Sequence, residues 1–478
     1  MTTKTEPLWT LSDLTTALEC SVDASQFAHQ DITGVSIDTR TLEKGDLFVA
    51  LKGDLGDGHS YIGSAIEKGA SAALSAEAHD GPIVKVDDTL KALNSLAHAG
   101  RERSSALRIG VTGSAGKTGT KELLSIVFSE FGKTHHSVKS YNNHWGVPLT
   151  LARMPQDTEY GVFEAGMNHA GELSELTQLI RPDIAIITSI ASVHFENFDN
   201  EQGIARAKSE IFEGVPEDGY AIINADTPHF DLLKKRAEEC GIKNIISFGE
   251  DQDCDAYPID MTLSSDGTKV TAMIMDEKVN FRLSIPGKHI ASNALSVLCA
   301  VKCEGCDVKK AAKTLSKAEP IEGRGRKIEV VIEDGEPPIT IIDESYNASP
   351  AAMRAAFKVL HMNAPKGNGQ RIAVLGDMLE LGPKGPQLHA ALANPLLKAE
   401  VGMVFACGPQ MGALYDVLPP PWQGAHTKDS LTLCAEVTKA VKPGDVILVK
   451  GSNGSKMAYV VEALQNMQSS KGENRHAV

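Results

Sequence analysis

The feature that most constrains this chain is a glycine-rich turn that joins an apolar run to an amphipathic segment, IGVTGSAGKTGTKE over residues 109–122. The preceding residues, 107–111, are apolar enough for a buried strand. The following residues, 120–132, repeat apolar side chains at helical spacing, with one face formed by Leu123, Leu124, Val127, Phe128 and Phe131. The order of strand, loop and helix indicates a parallel α/β sheet.

The turn itself is close to a phosphate-binding loop. The usual G-x-x-x-x-G-K-[ST] form places its first glycine where this chain has Val111. Gly113, Gly116, Lys117 and Thr118 nevertheless supply a tight turn, a cation and a hydroxyl for Mg²⁺. The alternative is a plain strand-to-helix turn that holds a lysine. We predict a nucleotide site whose loop also includes Ser114, Ala115 and Gly119.

Charge and composition exclude several classes of protein. The chain has 478 residues and a formal net charge of −15, which disfavours a broad surface for nucleic acid or anionic membrane. The first residues do not resemble a secretory leader, and no run of about 18 uncharged apolar residues occurs. We expect a soluble, cytoplasmic protein that binds neither nucleic acid nor membrane.

Alternating apolar and amphipathic segments predict three α/β units. The expected fold class is α/β with three domains, of which the central one is a P-loop ATPase-type parallel sheet with an antiparallel extension and the last is Rossmann-like. The predicted boundaries are 1–105, 106–322 and 323–478.

Two shorter segments refine this organisation. In residues 256–285, alternation on both sides of the Asp266-Gly267 turn predicts a β-hairpin, which would form the antiparallel extension. Residues 318–327 are polar, contain glycine and lack periodicity, which is typical of a linker between domains.

Two residues at predicted strand ends are candidates for metal binding. Glu164 follows the apolar run GVF, and His194 follows DIAIITSIASV. Open α/β sheets bind ligands beyond the carboxyl ends of their strands, so we expect both side chains beside the loop, where they would coordinate Mg²⁺. A solvated glutamate and a structural histidine are the alternatives. Spacing alone leaves phosphotransfer, hydrolysis and ligation open.

Nine motifs in a consistent order carry a resemblance to a known family. They are VSIDTR, TGSAGKT, NNHWGVP, VFEAGMNHAGE, SVHFENF, AKSEIF, DESYNASP, LGDMLELG and LVKGS. Together they resemble the Mur ligases, whose loops take the form TG-x-x-GK-[ST], so Val111 fits the family pattern. The resemblance implies a first domain for a uridine nucleotide, a central ATPase domain and a third domain for the incoming amine.

The resemblance also implies the reaction, which is amide formation driven by ATP through an acyl phosphate with two Mg²⁺ ions. The most similar branch of the family joins D-alanyl-D-alanine to UDP-N-acetylmuramoyl-tripeptide. These two small molecules are therefore the expected partners, and we expect a monomer.

Carried onto this sequence, the resemblance assigns roles around the phosphates. Lys117 would stabilise the β- and γ-phosphates, and Thr118 would bind Mg²⁺ together with Glu164. His194 would hold a second Mg²⁺ with Lys208, which the family carries as a carbamate. Without the resemblance, Lys208 would be an ordinary surface lysine.

Further residues are implied for the rest of the nucleotide and for the substrates. The adenine would contact His289 and Asn293, whereas Arg324, or Arg326 beside it, and Asp343 would close on the nucleotide. The predicted substrate residues are Ser36, Asp38, Thr39, Arg40, Asn142, Asn143, Tyr346, Asn347, Lys450 and Ser452.

Two alternatives stay open. The related ligase that adds the third amino acid shares the catalytic motifs, but DESYNASP and LGDMLELG stand here in place of its DYAHTP-like and DNPR-like stretches. A P-loop ATPase that acts as a conformational switch would hydrolyse ATP without any amine acceptor.

Overall fold

The computed structural model describes residues 7–20, 31–53, 56–191, 197–198 and 200–468. Near its start, β1 (Trp9–Thr10) and β2 (Asp31–Ile32) pair antiparallel. A first sheet follows with four parallel strands in chain order, β3 (Gly34–Ser36), β4 (Asp46–Val49), β5 (Ala72–Ser75) and β6 (Ile83–Lys85). Its helices are α1 (Leu11–Leu18), α2 (Ile62–Glu67) and α3 (Thr89–Glu102).

The central sheet has nine described strands, of which the seven from β7 to β13 are joined by parallel pairings. They are β7 (Leu107–Thr112), β8 (Thr134–His136), β9 (Tyr160–Glu164), β10 (Ile184–Ile187), β11 (Tyr220–Asn224), β12 (Asn244–Phe248), β13 (Ala256–Ser264), β14 (Gly267–Ile274) and β15 (Glu277–Leu283). Their order is β15-β14-β13-β12-β11-β10-β7-β9-β8. The associated helices are α4 (Lys117–Phe128), α5 (Gly146–Ala152), α6 (Glu172–Ile180), α7 (Glu201–Ser209), α8 (Phe230–Glu239), α9 (Lys288–Cys303) and α10 (Val308–Thr314).

The antiparallel extension of this sheet is present, with its turn shifted by one residue from the prediction. β14 runs antiparallel to both β13 and β15, and Ser264 of β13 pairs with Gly267 of β14. The two-residue loop is therefore Ser265-Asp266, and Gly267 begins β14 with φ of 133°. A side chain there would meet the carbonyl of Leu283 on the neighbouring strand, which explains why glycine occupies the position.

The third sheet has six strands in the order β16-β17-β21-β18-β19-β20. They are β16 (Arg326–Val330), β17 (Ile339–Glu344), β18 (Arg371–Gly376), β19 (Met403–Cys407), β20 (Gln423–Thr427) and β21 (Val446–Lys450), and only the β16–β17 pairing is antiparallel. The helices are α11 (Pro350–Met362), α12 (Gly385–Ala390), α13 (Ala393–Lys398), α14 (Gly412–Tyr415), α15 (Ser430–Ala440) and α16 (Ala458–Gln465). The predicted α/β class is confirmed.

The first and central sheets share a packed boundary. Gly100 of α3 approaches α5 so closely that a Cβ atom would lie 2.4 Å from the carbonyl oxygen of Leu151. The buried indole of Trp9 donates to the carbonyl of Ala152 over 2.8 Å, and Arg153 donates to the carbonyl of Val35. These contacts fix the first sheet against the side of the central one.

The strand order places a crevice beside β7. The chain leaves β7 through α4 to β8 and β9 on one side and later returns to β10 on the other side. Ligands bind at such a switch point, beyond the carboxyl ends of the strands. Among the described helices, none is long and apolar enough to cross a membrane.

Candidate active site

The glycine-rich loop lies at this crevice and forms the start of α4. Gly113 and Gly116 adopt positive φ values of 149° and 88°, and a Cβ atom on Gly116 would lie 2.5 Å from the Nδ2 atom of Asn293. No side chain caps the N-terminus of α4. The first backbone N–H groups of this helix therefore remain available to an anion.

Lys117 folds back over the loop. Its Nζ atom donates to the carbonyl of Gly113 over 2.7 Å. Desolvation lowers the pKa of Lys117, while the nearby Glu164 carboxylate opposes the shift and Arg324 adds to it. Lys117 is therefore close enough to one acidic residue and to a second cation for both charges to act on it.

Two loop N–H groups are already bonded within the protein. The N–H of Ser114 donates to the carbonyl of Ser189 over 2.8 Å, and that of Ala115 donates to the hydroxyl of Ser189 over 3.0 Å. The segment after β10 therefore packs against the loop and accepts the hydrogen bonds of both N–H groups. In this conformation the open donors lie at the helix start and not at Ser114 or Ala115.

The other wall of the crevice carries the metal candidates. Glu164, at the end of β9, is 1% exposed, and its Oε1 atom accepts from the Nδ2 atom of Asn142 over 2.6 Å. Its Oε2 atom has no hydrogen-bond partner among the described residues. The buried hydroxyl of Thr118 lies 3.2 Å from that of Ser140. An unsatisfied buried carboxylate oxygen beside a loop hydroxyl suits a hard cation such as Mg²⁺.

Lys208, near the end of α7, is fully buried. Burial and then the charge of Lys117 hold its pKa well below the usual lysine range. This burial excludes the surface-lysine interpretation. The other candidate of this group, His194, lies outside the described residues.

A third group approaches the loop from the segment before the third sheet. Arg324 donates to the hydroxyl of Ser140 over 3.4 Å, and its guanidinium lies 4.2 Å from the ring centre of Tyr346. Arg326, by contrast, is exposed at the start of β16. His289 is an exposed residue at the start of α9, and desolvation lowers its pKa, a shift that Glu344 opposes and Lys450 reinforces.

Several predicted ligand residues are engaged elsewhere in the protein. The Asp343 carboxylate accepts from the N–H of Gly323 and from both the N–H and the hydroxyl of Ser345, so it anchors the connecting segment. Lys450 donates to Glu344 and to the carbonyl of Asn347. In this conformation both side chains are therefore bonded within the protein.

The remaining predicted residues have local roles in the described structure. The Ser452 hydroxyl accepts from the N–H of Leu379, and the Asn143 side chain accepts from backbone N–H groups at the start of α5.

The predicted uridine-binding residues lie at the carboxyl end of β3. The exposed guanidinium of Arg40 forms a bidentate ion pair with Asp38, at 2.9 and 2.7 Å, and this contact lowers the pKa of Asp38. The buried hydroxyl of Ser36 donates to the carbonyl of Asp38, and Lys68 donates to the carbonyl of Thr39. The four residues form one turn, which makes no hydrogen bond with the described part of the glycine-rich loop.

Sequence reasoning missed two residues of the crevice. Ser140 connects Thr118 to Arg324, and the only signal for it was its position two residues before Asn142. Lys121 is buried in α4 and bonds the segment that carries Ser140. Its sequence context gave no signal, because a lysine on a short amphipathic helix usually faces solvent.

Comparison with known proteins identifies the family. Three protein-family models match the sequence. They are the Mur ligase family catalytic domain over residues 31–101, the Mur ligase middle domain over 111–301 and the Mur ligase glutamate ligase domain over 326–453. The UDP-N-acetylmuramoyl-tripeptide–D-alanyl-D-alanine ligase of Rickettsia prowazekii is 34% identical over 462 residues, which cover 96% of this chain and all of that protein. The chain belongs to the Mur ligase family.

Solved Mur ligases share the whole architecture. The UDP-N-acetylmuramoylalanyl-D-glutamyl-2,6-diaminopimelate–D-alanyl-D-alanyl ligase from Acinetobacter baumannii superposes on this Mur ligase with a TM-score of 0.82 at 27% identity. The match covers 98% of this chain and 100% of that one. The MurF ligase of Thermotoga maritima, solved in complex with ADP, superposes with a TM-score of 0.75 at 25% identity. The match covers 91% of this chain and 97% of that one. This Mur ligase therefore has the three-domain fold of those enzymes.

Proposed function

We propose that this Mur ligase joins D-alanyl-D-alanine to UDP-N-acetylmuramoyl-tripeptide, with conversion of ATP to ADP and phosphate, in the synthesis of peptidoglycan precursors. The observation that carries the proposal is the buried Glu164 carboxylate, whose Oε2 atom lacks a described partner beside the open N-terminus of α4. The near full-length match to a ligase of that name supports the choice of substrates.

The crevice residues fit a magnesium nucleotide. The free N–H groups at the start of α4 and the ammonium of Lys117 bind the phosphates, and Arg324 adds a second cation from the other wall. Thr118 and Glu164 would hold Mg²⁺, which when bound neutralises charge on the transferred phosphoryl group. Asn293 lies close to Gly116, and we assign it to the adenine end.

Lys208 is the proposed site of a carbamate. Its lowered pKa favours the neutral amine, whose nitrogen can attack CO₂ and lose a proton to give an anion. That anion would attract Lys117, whereas the ammonium form repels it. We propose that the carbamate and His194 hold a second Mg²⁺ ion.

The reaction proceeds in two steps. A substrate carboxylate oxygen attacks the γ-phosphorus, and ADP leaves to give an acyl phosphate. The dipeptide amine then attacks the acyl carbon, and the tetrahedral intermediate expels phosphate as the amide forms. Lys117 and Arg324 stabilise the charge on the phosphoryl oxygens during the first step.

Domain closure is part of this proposal. We place the domains at 1–105, 106–322 and 323–478, with the hinge in 318–327, where Gly323 and Gly325 have φ values of 74° and 89°. Closure brings the amine to the acyl phosphate and excludes water.

The two substrates bind in different domains of this proposal. The turn from Ser36 to Arg40 binds the uridine diphosphate, and the edge of the third sheet near Tyr346, Asn347 and Ser452 receives the dipeptide. We further propose that the enzyme acts as a cytoplasmic monomer.

The choice of acceptor tests the proposal. Purified enzyme is given ATP and Mg²⁺ with either UDP-N-acetylmuramoyl-tripeptide and D-alanyl-D-alanine, or UDP-N-acetylmuramoyl-dipeptide and single amino acids. The proposal predicts a UDP-pentapeptide by mass spectrometry in the first mixture only. A UDP-tripeptide in the second mixture would instead identify the ligase that adds the third residue.

A further inference from the structure

Lys121 is a fully buried lysine that the reaction described above does not use. It follows Lys117 by one helical turn in α4, and its side chain is 0% exposed. Its Nζ atom donates to the carbonyl of Ser137 over 2.8 Å, to the carbonyl of Lys139 over 3.1 Å and to the carboxylate of Glu122. A buried ammonium is costly unless every donor is satisfied, and here three acceptors meet three donors.

These bonds determine the shape of the segment after β8. Lys139 has a positive φ of 52°, an unusual conformation for a residue with a side chain, and it turns the chain so that two carbonyls face one point. Carbonyl oxygens that converge in this way repel each other unless a cation or several donors lie between them. The ammonium of Lys121 occupies that point.

The same segment forms the metal side of the crevice. The residue after Lys139 is Ser140, whose hydroxyl lies 3.2 Å from that of Thr118. Two residues further on, Asn142 donates to Oε1 of Glu164 over 2.6 Å, and its carbonyl accepts from the N–H of Gly166. Displacement of the turn at Lys139 would therefore move the side chains that orient Thr118 and Glu164.

We propose that Lys121 is a positioning residue for the metal side of the nucleotide site. It makes no contact with nucleotide or metal, because its three donors are already used. It holds the Ser137–Lys139 turn, and through Ser140 and Asn142 it sets the orientation of the Thr118 hydroxyl and the Glu164 carboxylate. The inference rests on the proposed function only in that the crevice binds a magnesium nucleotide.

Calorimetric titration with ADP tests this inference without any turnover. Each protein is titrated with ADP once in EDTA and once in excess Mg²⁺. The ratio of the two ADP affinities is the factor by which the metal tightens ADP binding, here called the Mg²⁺ strengthening. Loss of outer-shell support typically weakens metal binding by about 10- to 100-fold. In Lys121→Met we expect the Mg²⁺ strengthening to fall by about tenfold, with ADP affinity in EDTA unchanged.

The matched control is Lys302→Met. Lys302 also forms ion pairs from a central-domain helix, with Asp276 and Glu277, but it lies near the C-terminus of α9 and away from the crevice. It should leave the Mg²⁺ strengthening at the wild-type value. Equal loss in both variants, or a parallel loss of ADP affinity with and without Mg²⁺ in Lys121→Met, would overturn the positioning role.

A second variant covers the case in which Lys121→Met does not fold. Lys121→Gln keeps two N–H donors for the carbonyls and loses the charge, so we expect a smaller but still selective loss of Mg²⁺ strengthening. A wild-type value in folded Lys121→Gln would overturn the inference, as would wild-type enzyme whose ADP binding is unaffected by Mg²⁺. If the wild-type enzyme binds ADP more tightly with Mg²⁺ but ligates nothing, the proposed function is contradicted, and the Mg²⁺ effect in the Lys121 variants still decides this inference.

Discussion

Asn142 donates to one oxygen of the buried Glu164 carboxylate over 2.6 Å, and the other oxygen has no partner among the described residues. A buried carboxylate in this state is unfavourable without a cation. Glu164→Gln should therefore keep or raise the melting temperature while kcat/KM falls by on the order of 100-fold or more, because a neutral amide is a poor Mg²⁺ ligand. Thermal melts and steady-state kinetics check both results. A large loss of stability with normal activity would contradict the metal role.

The contact between Gly116 and Asn293 predicts a steric effect on nucleotide binding. A Cβ atom on Gly116 would lie 2.5 Å from the Asn293 amide, and φ there is 88°. Gly116→Ala should weaken ADP binding by about tenfold or more, since a left-handed conformation and the contact together cost about 1–2 kcal/mol. Gly63→Ala is the control, because its Cβ meets nothing within 4 Å on an exposed face of α2. Equal ADP affinity in both variants would refute the expected clash.

The buried Lys208 predicts a rescue experiment. Lys208→Ala should nearly abolish ligation, because the anion that we propose at this position is lost. Formate or acetate can enter the space and supply a carboxylate, so either should restore part of the activity. Chloride at the same ionic strength serves as the control. Full activity in the unrescued variant would rule out the carbamate.

His135 predicts a pH dependence of stability. Burial lowers its pKa to about 4 from the usual 6.5, although the bond to the carbonyl of Thr150 opposes the shift. Between pH 6.5 and 4, His135 is protonated in the unfolded chain but neutral in the folded protein. The free energy of unfolding therefore falls as the pH drops from 6.5 towards 4. The full effect is on the order of 3 kcal/mol.

Urea unfolding at pH 7.5 and pH 4.5 measures this effect against a variant. In His135→Gln, whose amide can still donate to Thr150, the loss between the two pH values should be smaller than in the wild type. Identical losses would show that His135 does not contribute to the pH dependence.

The fold and the loop were predictable because they depend on local patterns. The residues around Gly113 show a strand end and a helix start within a short window, and Glu164 follows its strand directly. Lys121 is different, because its burial depends on a segment 16 residues further along the chain. Periodicity within α4 contains no information about that contact.

Other residues were assigned to ligands but bond within the protein in the described conformation. Asp343 accepts from Gly323 and Ser345, and Lys450 pairs with Glu344. A motif identifies which residues matter at a site but not which neighbour each one contacts, since that depends on how segments distant in sequence pack together. Lys208 shows the opposite case, in which only the family resemblance indicated that a helical lysine would be more than a surface charge.

Phosphate release tests the central claim most directly. Enzyme with ATP and Mg²⁺ is given UDP-N-acetylmuramoyl-tripeptide and D-alanyl-D-alanine separately and then together. A ligase of this kind should sustain phosphate release only with both substrates, at one phosphate for each UDP-pentapeptide formed. Sustained release without any acceptor would contradict the account and point instead to an ATPase that acts as a conformational switch.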